Sequence, residues 1–192
     1  MKKILIGTHN EGKFKEIAFL ISKKYKKISP KTLKIPSPKE TGKTFSSNSK
    51  LKANFFSKFV SYPVISDDSG LCIKTLNNRP GIYSARLAKK KGNFNKAMKY
   101  IIKKLKNKKN RTATFICSLS FKAPNGKLFT VEGRVKGTIT FKIIGNKGFG
   151  YDSIFKPNFS KLTFGEMPKN VKLKKDHRFI AFKKLKKKVK IL

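Results

Sequence analysis

MKKILIGTHNEGKFKEIAFLI, residues 1–21, sets how the fold begins. Lys2–Gly7 is short, apolar and β-branched, which predicts a buried strand. A polar turn, THNEG, follows. From Lys13 to Ser22 the apolar residues Phe14, Ile17, Ala18 and Ile21 recur at spacings of three and four, which predicts a helix. A strand, a tight turn and a helix start aim free backbone N–H groups at an anion. Gly7–Lys13 also has the G-x-x-x-x-G-K spacing of a phosphate-cradling loop, in which a Ser or Thr should come next to bind Mg²⁺. Phe14 stands there instead. The loop therefore predicts an anion site whose metal, if it uses one, is held by other residues.

Working outward, Lys31–Pro38 reads as a short strand entering a Pro-punctuated loop. Thr44 is a candidate N-cap for a helix from about Phe45 to Val60, with Leu51, Phe55, Phe56 and Phe59 toward the core. Pro63–Ser66 predicts a strand, Asp67–Gly70 a turn, and Leu71–Leu76 a second strand. RPGIYSARLA (79–88) is a turn leading to a short helix. Asn95–Leu105 is helical, with Ala97, Met98, Ile101, Ile102 and Leu105 on one face. Thr112–Phe121 is a strand, PNGK (124–127) a turn, and Leu128–Val135 its hairpin partner. A further strand covers Thr138–Ile144, a glycine-rich loop GNKGFGYD covers 145–152, and Asp176–Val189 forms a basic helix. Strands and helices do not alternate cleanly, so the expected class is mixed α/β in a single domain, 1–192.

Composition narrows the function. An apolar fraction of 38% with 17 Phe supports a real core and excludes a disordered polycation. The net charge of +39 fits a polyanion partner, whether nucleic acid, a membrane surface or a phosphate-rich substrate. It fits equally a lysine excess spread along the whole chain. Lys far outnumbers Arg and lacks the bidentate fork of base-reading surfaces, so the surplus is read as compositional and no specific nucleic acid is expected. Two cysteines, Cys72 and Cys117, sit in apolar runs and give no disulfide or metal spacing. The apolar run ILIG is too short for a signal peptide, and no 18-residue apolar stretch occurs. The expectation is a cytoplasmic protein with no membrane partner.

The nine acids are the informative minority: Glu11, Glu16, Glu40, Asp67, Asp68, Glu132, Asp152, Glu166 and Asp176. An adjacent Asp67–Asp68 pair in ISDDSG needs a neighbouring cation, because like charges side by side repel. Glu40, in ETGKTF, is either a helix cap or a metal ligand, and taken alone the cap is favoured. GFGYD, residues 148–152, sets Phe149 between two glycines, where a backbone approaches a ligand closely and an aromatic ring stacks on a base. His177 and Arg178 begin the last helix; taken alone, they read as solvated charges.

Taken together, GTHNEGKFKEI, ETGKTFSSNSKLKA, ISDDSGL, RPGIYSARLA, GFGYDSIF and TFGEM with Lys172 and His177-Arg178 occur in an order and spacing that closely resemble the inosine/xanthosine triphosphate pyrophosphatases. The resemblance runs from Lys3 to about Leu185. It implies hydrolysis of non-standard purine nucleoside triphosphates (ITP, dITP, XTP) to a monophosphate and pyrophosphate with Mg²⁺. It implies an α/β fold, an elongated mixed β-sheet flanked by helices, in two lobes with an active-site cleft between them, and a homodimer. Carried over residue by residue, Thr8, His9, Asn10, Glu11, Gly12 and Lys13 resemble the phosphate-binding loop. Glu40 and Asp68, with Asp67 beside them, resemble the metal ligands, and Asp68 also the proton acceptor. Asn48, Lys52 and Ser69 match substrate-contacting positions. Phe149, Gly150, Tyr151, Asp152, Lys172, His177 and Arg178 match the base-recognition set.

The chain departs from the family pattern at three places. Asp176 stands where Ser is common, Ser153 where Pro is usual, and His9 where Gly is frequent. An acid at 176 implies a preference for ITP and dITP over the more anionic XTP. The rival readings are a P-loop ATPase or kinase, a basic nucleic-acid-binding protein, and a cousin that cleaves other modified or pyrimidine triphosphates.

Overall fold

The computed structural model describes residues 1–189, so the last three residues of the expected 1–192 domain lie outside the described residues. It opens as expected, with strand β1 (Lys2–Ile6) and helix α1 (Glu11–Leu20). The helix starts two residues early because the Asn10 side chain caps it, accepting from the Lys13 backbone N–H at 3.0 Å. Strand β2 (Tyr25–Ile28) follows and pairs parallel with β1, Leu5 opposite Ile28. The strand expected at Lys31–Pro38 is absent; those residues form a turn and an irregular segment. Lysines around Tyr25 hide the real strand, whose tyrosine is its buried anchor.

Helix α2 (Phe45–Ser57) has the expected Thr44 N-cap, completed into a capping box by Ser47. It stops at Ser57, so Phe59 no longer follows the helical face and is 50% exposed rather than core. Strand β3 (Val64–Ile73) runs unbroken through Asp67–Gly70, where a turn was expected. Strand β4 (Arg79–Pro80) pairs antiparallel with it, Cys72 opposite Pro80. Helices α3 (Ser84–Lys90) and α4 (Phe94–Lys104) match the expected helical segments. Strand β5 (Thr112–Lys122) turns at 123–127 into β6 (Leu128–Ile139). The latter is one strand instead of two, because Gly137 and Thr138 stay paired with Pro157 and Lys156 of β7 (Phe155–Pro157). A short helix α5 (Lys169–Lys172) precedes α6 (His177–Lys188).

The strands form one mixed sheet in the order β2-β1-β3-β5-β6-β7, with β4 added beside β3. The chain divides into two compact units. One comprises Met1–Asp68, Cys117–Gly133 and the segment from His177 onward. The other comprises Ser69–Ile116 and Arg134–Asp176. In the first unit strand alternation sorts the core. Ile4 and Ile6 pack with Ile17, Ile65, Phe182 and Leu185, between the sheet, α1 and α6. Leu5 points the other way and packs with Ile35, Phe56 and Val64, under α2. In the second unit Phe115, Phe155 and Phe164 form an aromatic cluster with centroids 4.6–6.0 Å apart. No helix among the described residues is long and apolar enough to cross a membrane.

Candidate active site

In the first unit, the β1–α1 turn places Thr8, His9 and Asn10 at the end of β1. Thr8 Oγ1 accepts from the Asn10 N–H at 3.2 Å, and His9 Nε2 lies 3.0 Å from the Ile35 carbonyl. Gly12 and Lys13 belong to the first helical turn, so this is a strand–helix turn with a charged lysine, not a long phosphate-wrapping loop. The Glu11 side chain is exposed and binds Lys31 at 2.9 Å, which leaves its backbone amide as the group available to an anion.

β3 places Asp67 and Asp68 at successive positions, both buried, on a strand that is buried on both faces. Their charge is met by cations from three distant segments. Lys13 Nζ lies 3.1 Å from Asp67 Oδ2, and Arg178 Nη2 is 3.5 Å from the same atom. Burial pushes the Asp67 carboxyl up, but Lys13, Arg178 and Lys52 outweigh it and hold its pKa far below the usual carboxylate range. Asp68 sits in a different field. Burial dominates there and raises its pKa; Lys13 and Lys52 pull it down, and Glu40 pushes it further up.

Helix α2 supplies the partners on the other side. Asn48 donates to Asp68 Oδ2 at 3.0 Å and accepts from the Gly42 N–H at 2.8 Å, tying the loop before α2 to the strand. Lys52, one helical turn on, donates to Glu40 Oε1 at 2.6 Å and lies 4.0 Å from Asp68 Oδ1. Glu40 is thus not the helix cap that its position alone favoured: Thr44 fills that role and Glu40 belongs to the charge cluster. Burial raises the Glu40 pKa, and its bond to Lys52 brings it below the ordinary value. Lys52 is pulled down by burial and driven up by Asp67, Asp68 and Glu40, so it stays charged.

His177 and Arg178 are buried at the start of α6 rather than solvated. Gly133 makes this possible: a Cβ there would strike the His177 carbonyl and the Ala181 backbone. The Arg178 guanidinium is gripped by Glu16 of α1 as well as by Asp67. Glu16, 5% exposed, is the member of the cluster that motif reading missed; the signal was a carboxylate in a chain with only nine.

Ser69, half-buried, falls in the second unit, which holds a separate set. Lys172 is buried, donates to Asp152 Oδ2 at 2.6 Å, and lies 5.1 Å from the Phe149 ring centroid. The same Asp152 oxygen accepts the Phe149 N–H at 2.9 Å. Gly148 has φ +77°, and a side chain there would collide with the Asp152 carboxylate. Tyr151 donates its hydroxyl to the Ser84 carbonyl at 2.8 Å, and burial raises its pKa. Ring, acid and lysine are therefore held rigidly with respect to one another.

With the fold and these two constellations placed, the family model for the Ham1 family matches residues 4–188. The chain belongs to the Ham1 family. A dITP/XTP pyrophosphatase of Caulobacter vibrioides is 42% identical over 96% of both chains. One from Dictyoglomus thermophilum is 40% identical, covering 95% of this chain and 92% of its own. The Ham1 protein of Staphylococcus aureus superposes with a TM-score of 0.87 at 33% identity over 98% of both chains. That of Coxiella burnetii superposes with 0.88 at 29% identity over the full length of both. The mixed sheet flanked by helices is thus the Ham1 architecture.

The donor chemistry fits Mg²⁺. Among the described residues no three acid, His or Cys side chains converge on one point. Mg²⁺ characteristically takes one or two carboxylates and completes its shell with water and substrate phosphate. Glu40 and Asp68, hard oxygen donors on either side of Lys52, match that requirement. Asp67, beside them, pairs with Lys13 and Arg178 through Oδ2.

Proposed function

We propose that this enzyme, a nucleoside triphosphate pyrophosphatase by family, hydrolyses non-standard purine nucleoside triphosphates to the monophosphate and pyrophosphate, with ITP, dITP and XTP as substrates and Mg²⁺ as cofactor. The observation that carries the reading is the buried cluster of the first unit. There Lys13, Lys52 and Arg178 surround Glu16, Glu40, Asp67 and Asp68, beside the amides that open α1. The Caulobacter and Dictyoglomus relatives are named for dITP and XTP, which supports those two substrates for this chain.

Each residue has a part in that reaction. The Thr8–Lys13 segment takes the triphosphate through the backbone N–H groups of His9, Glu11 and Gly12 and the Lys13 ammonium. Lys52 balances charge that gathers on the departing pyrophosphate. Asp68 accepts the proton of the water that attacks the α-phosphorus. Asn48 fixes the orientation of that carboxylate. Glu40 and Asp68, with Asp67 beside them, would hold Mg²⁺, which when bound would supply Lewis-acid stabilisation of phosphate charge. Phe149, Gly150, Tyr151, Asp152, Lys172, His177 and Arg178 are assigned to the base. An oxygen at purine position 6 accepts from N–H donors, whereas the adenine amino group leaves a donor unpaired, at about 1–3 kcal/mol. Asp176, fully buried just before α6, is assigned the preference for ITP and dITP over XTP. A cytoplasmic homodimer belongs to the same proposal and rests on the family resemblance.

Product analysis tests it. The protein is incubated with Mg²⁺ and ITP, dITP, XTP, ATP or GTP in turn. The expected products are the monophosphate and pyrophosphate, with little ATP turnover and with XTP behind ITP. Diphosphate plus phosphate overturns the reading in favour of a P-loop-type enzyme, and no turnover overturns it outright.

A further inference from the structure

Lysine excess explains how many cations the surface carries, but not where they stand around Phe141. This ring is 76% exposed, more than any other large apolar side chain except Met1 among the described residues. It is not a loose excursion. The Arg111 guanidinium lies beneath it, 4.3 Å from the ring centroid. Arg111 is itself buried and locked by three carbonyls: Nε to Ile139 at 2.8 Å, Nη1 to Leu105 and Nη2 to Thr140, both at 2.7 Å. Thr140 secures the backbone on the other side, its N–H bonded to the Ile154 carbonyl at 2.9 Å and its hydroxyl to the Lys142 carbonyl at 2.7 Å. Fixing an exposed aromatic this firmly gives it a surface role, because water contact with a large ring brings no stability by itself.

A groove lies on each side of the ring, both within the second unit. One, of about 900 Å³, is lined by Lys109, Lys142, Lys156 and Lys161. The other, of about 630 Å³, is lined by Lys99, Lys103, Lys106 and Lys142. Arg111, Phe141 and Lys142 line both and form the ridge between them. Lys99 and Lys103, four residues apart, share one face of α4, opposite Ala97, Met98 and Ile101, which α4 buries; Lys106 follows in the turn after the helix. Glu166 is the acid lining these grooves among the described residues, and its carboxylate is occupied by the Thr163 N–H and hydroxyl.

We propose that the Phe141 ridge and its two lysine grooves bind single-stranded nucleic acid without sequence preference, the backbone following the grooves and a base stacking on Phe141. Single-strand binders combine a cationic track with an aromatic platform in this way. Concave grooves and a lone ring suit a strand better than a bilayer, which calls for several apolar side chains on a convex face.

The two elements respond differently to salt, and that separates them. Affinity for a roughly 20-nucleotide oligothymidylate is measured by fluorescence anisotropy between about 50 and about 300 mM salt. Phe141→Ala is expected to weaken binding about 5- to 150-fold with the salt slope unchanged, since stacking releases no counterions. A K103Q/K106Q/K142Q variant is expected to reduce the slope by about 2, at roughly 0.7 per lost phosphate contact. K183Q/K186Q/K187Q, on exposed positions of α6, removes the same charge elsewhere and is expected to change the slope less. Thermal unfolding verifies that each variant is folded. Equal loss in the two lysine variants with no effect of Phe141→Ala overturns the proposal, leaving diffuse charge attraction. It is also overturned if Phe141→Ala abolishes binding to anionic phospholipid vesicles while oligonucleotide binding is retained.

Discussion

Glu16 and Arg178 meet out of water, 5% and 1% exposed, and Arg178 continues to Asp67. Removing one partner of such a pair strands the other charge in a low-dielectric interior. Glu16→Gln is therefore expected to lower stability by about 3 kcal/mol and to weaken turnover, because Arg178 would then have only Asp67 to neutralise it among these acids. Urea unfolding at neutral pH measures the first effect; an unchanged midpoint would mean that the pair contributes nothing net. Asp67 adds a pH dependence with a definite sign. Its folded pKa lies below the unfolded value, near 3.9, so its contribution is complete above about pH 4 and disappears as the pH falls through the folded value. The stability gap between the native protein and Asp67→Asn should be wide at neutral pH and shrink in acid. A gap that stays constant from neutral pH to about pH 3 would refute the assignment.

At the scale of the element, α6 owes its position to one missing side chain. Gly133 lets the His177 carbonyl and the Ala181 backbone come down on β6, and that approach delivers Arg178 to Asp67. Gly133→Ala sets a methyl group against backbone, which cannot rotate away. A cost of about 1–3 kcal/mol is expected, with a fall in melting temperature of roughly 2–4 °C per kcal/mol. Catalytic efficiency should drop alongside, and a variant with native melting temperature and activity would show that the helix is held by other contacts. Elements set by local chemistry were readable: β1, the Thr44 cap, α4 and β5 follow from period, cap residue and length. Elements set by distant partners were not. Asp67–Gly70 carries turn-forming residue types, and only Lys13, Lys52, Asn48 and Arg178 make it a strand interior. Glu16 lies 162 residues from Arg178, so nothing near it in the chain distinguishes it from a solvated helix acid. The site motifs were legible as a set because their order and spacing carry information that no single motif holds.

Across the whole molecule the acids are used almost entirely inside. Of nine, only Glu11 is exposed; Glu40, Glu132 and Glu166 are half-buried, and the other five are buried. The outer surface consequently has little to neutralise its lysines, and the net charge of +39 is a field of one sign. Two consequences run in opposite directions with ionic strength. Mutual repulsion destabilises the compact chain, so raising NaCl from about 20 to about 300 mM, which shortens the Debye length from about 20 Å to below 10 Å, should raise the melting temperature. The same field draws a polyanionic triphosphate toward the protein, so kcat/KM for ITP should fall over that range. The buried pairs around Asp67 are screened much less, so kcat should change far less than kcat/KM. A melting temperature that falls with salt, or a kcat/KM that does not, would mean that the surface charge is already neutralised by bound counterions and exerts no long-range field.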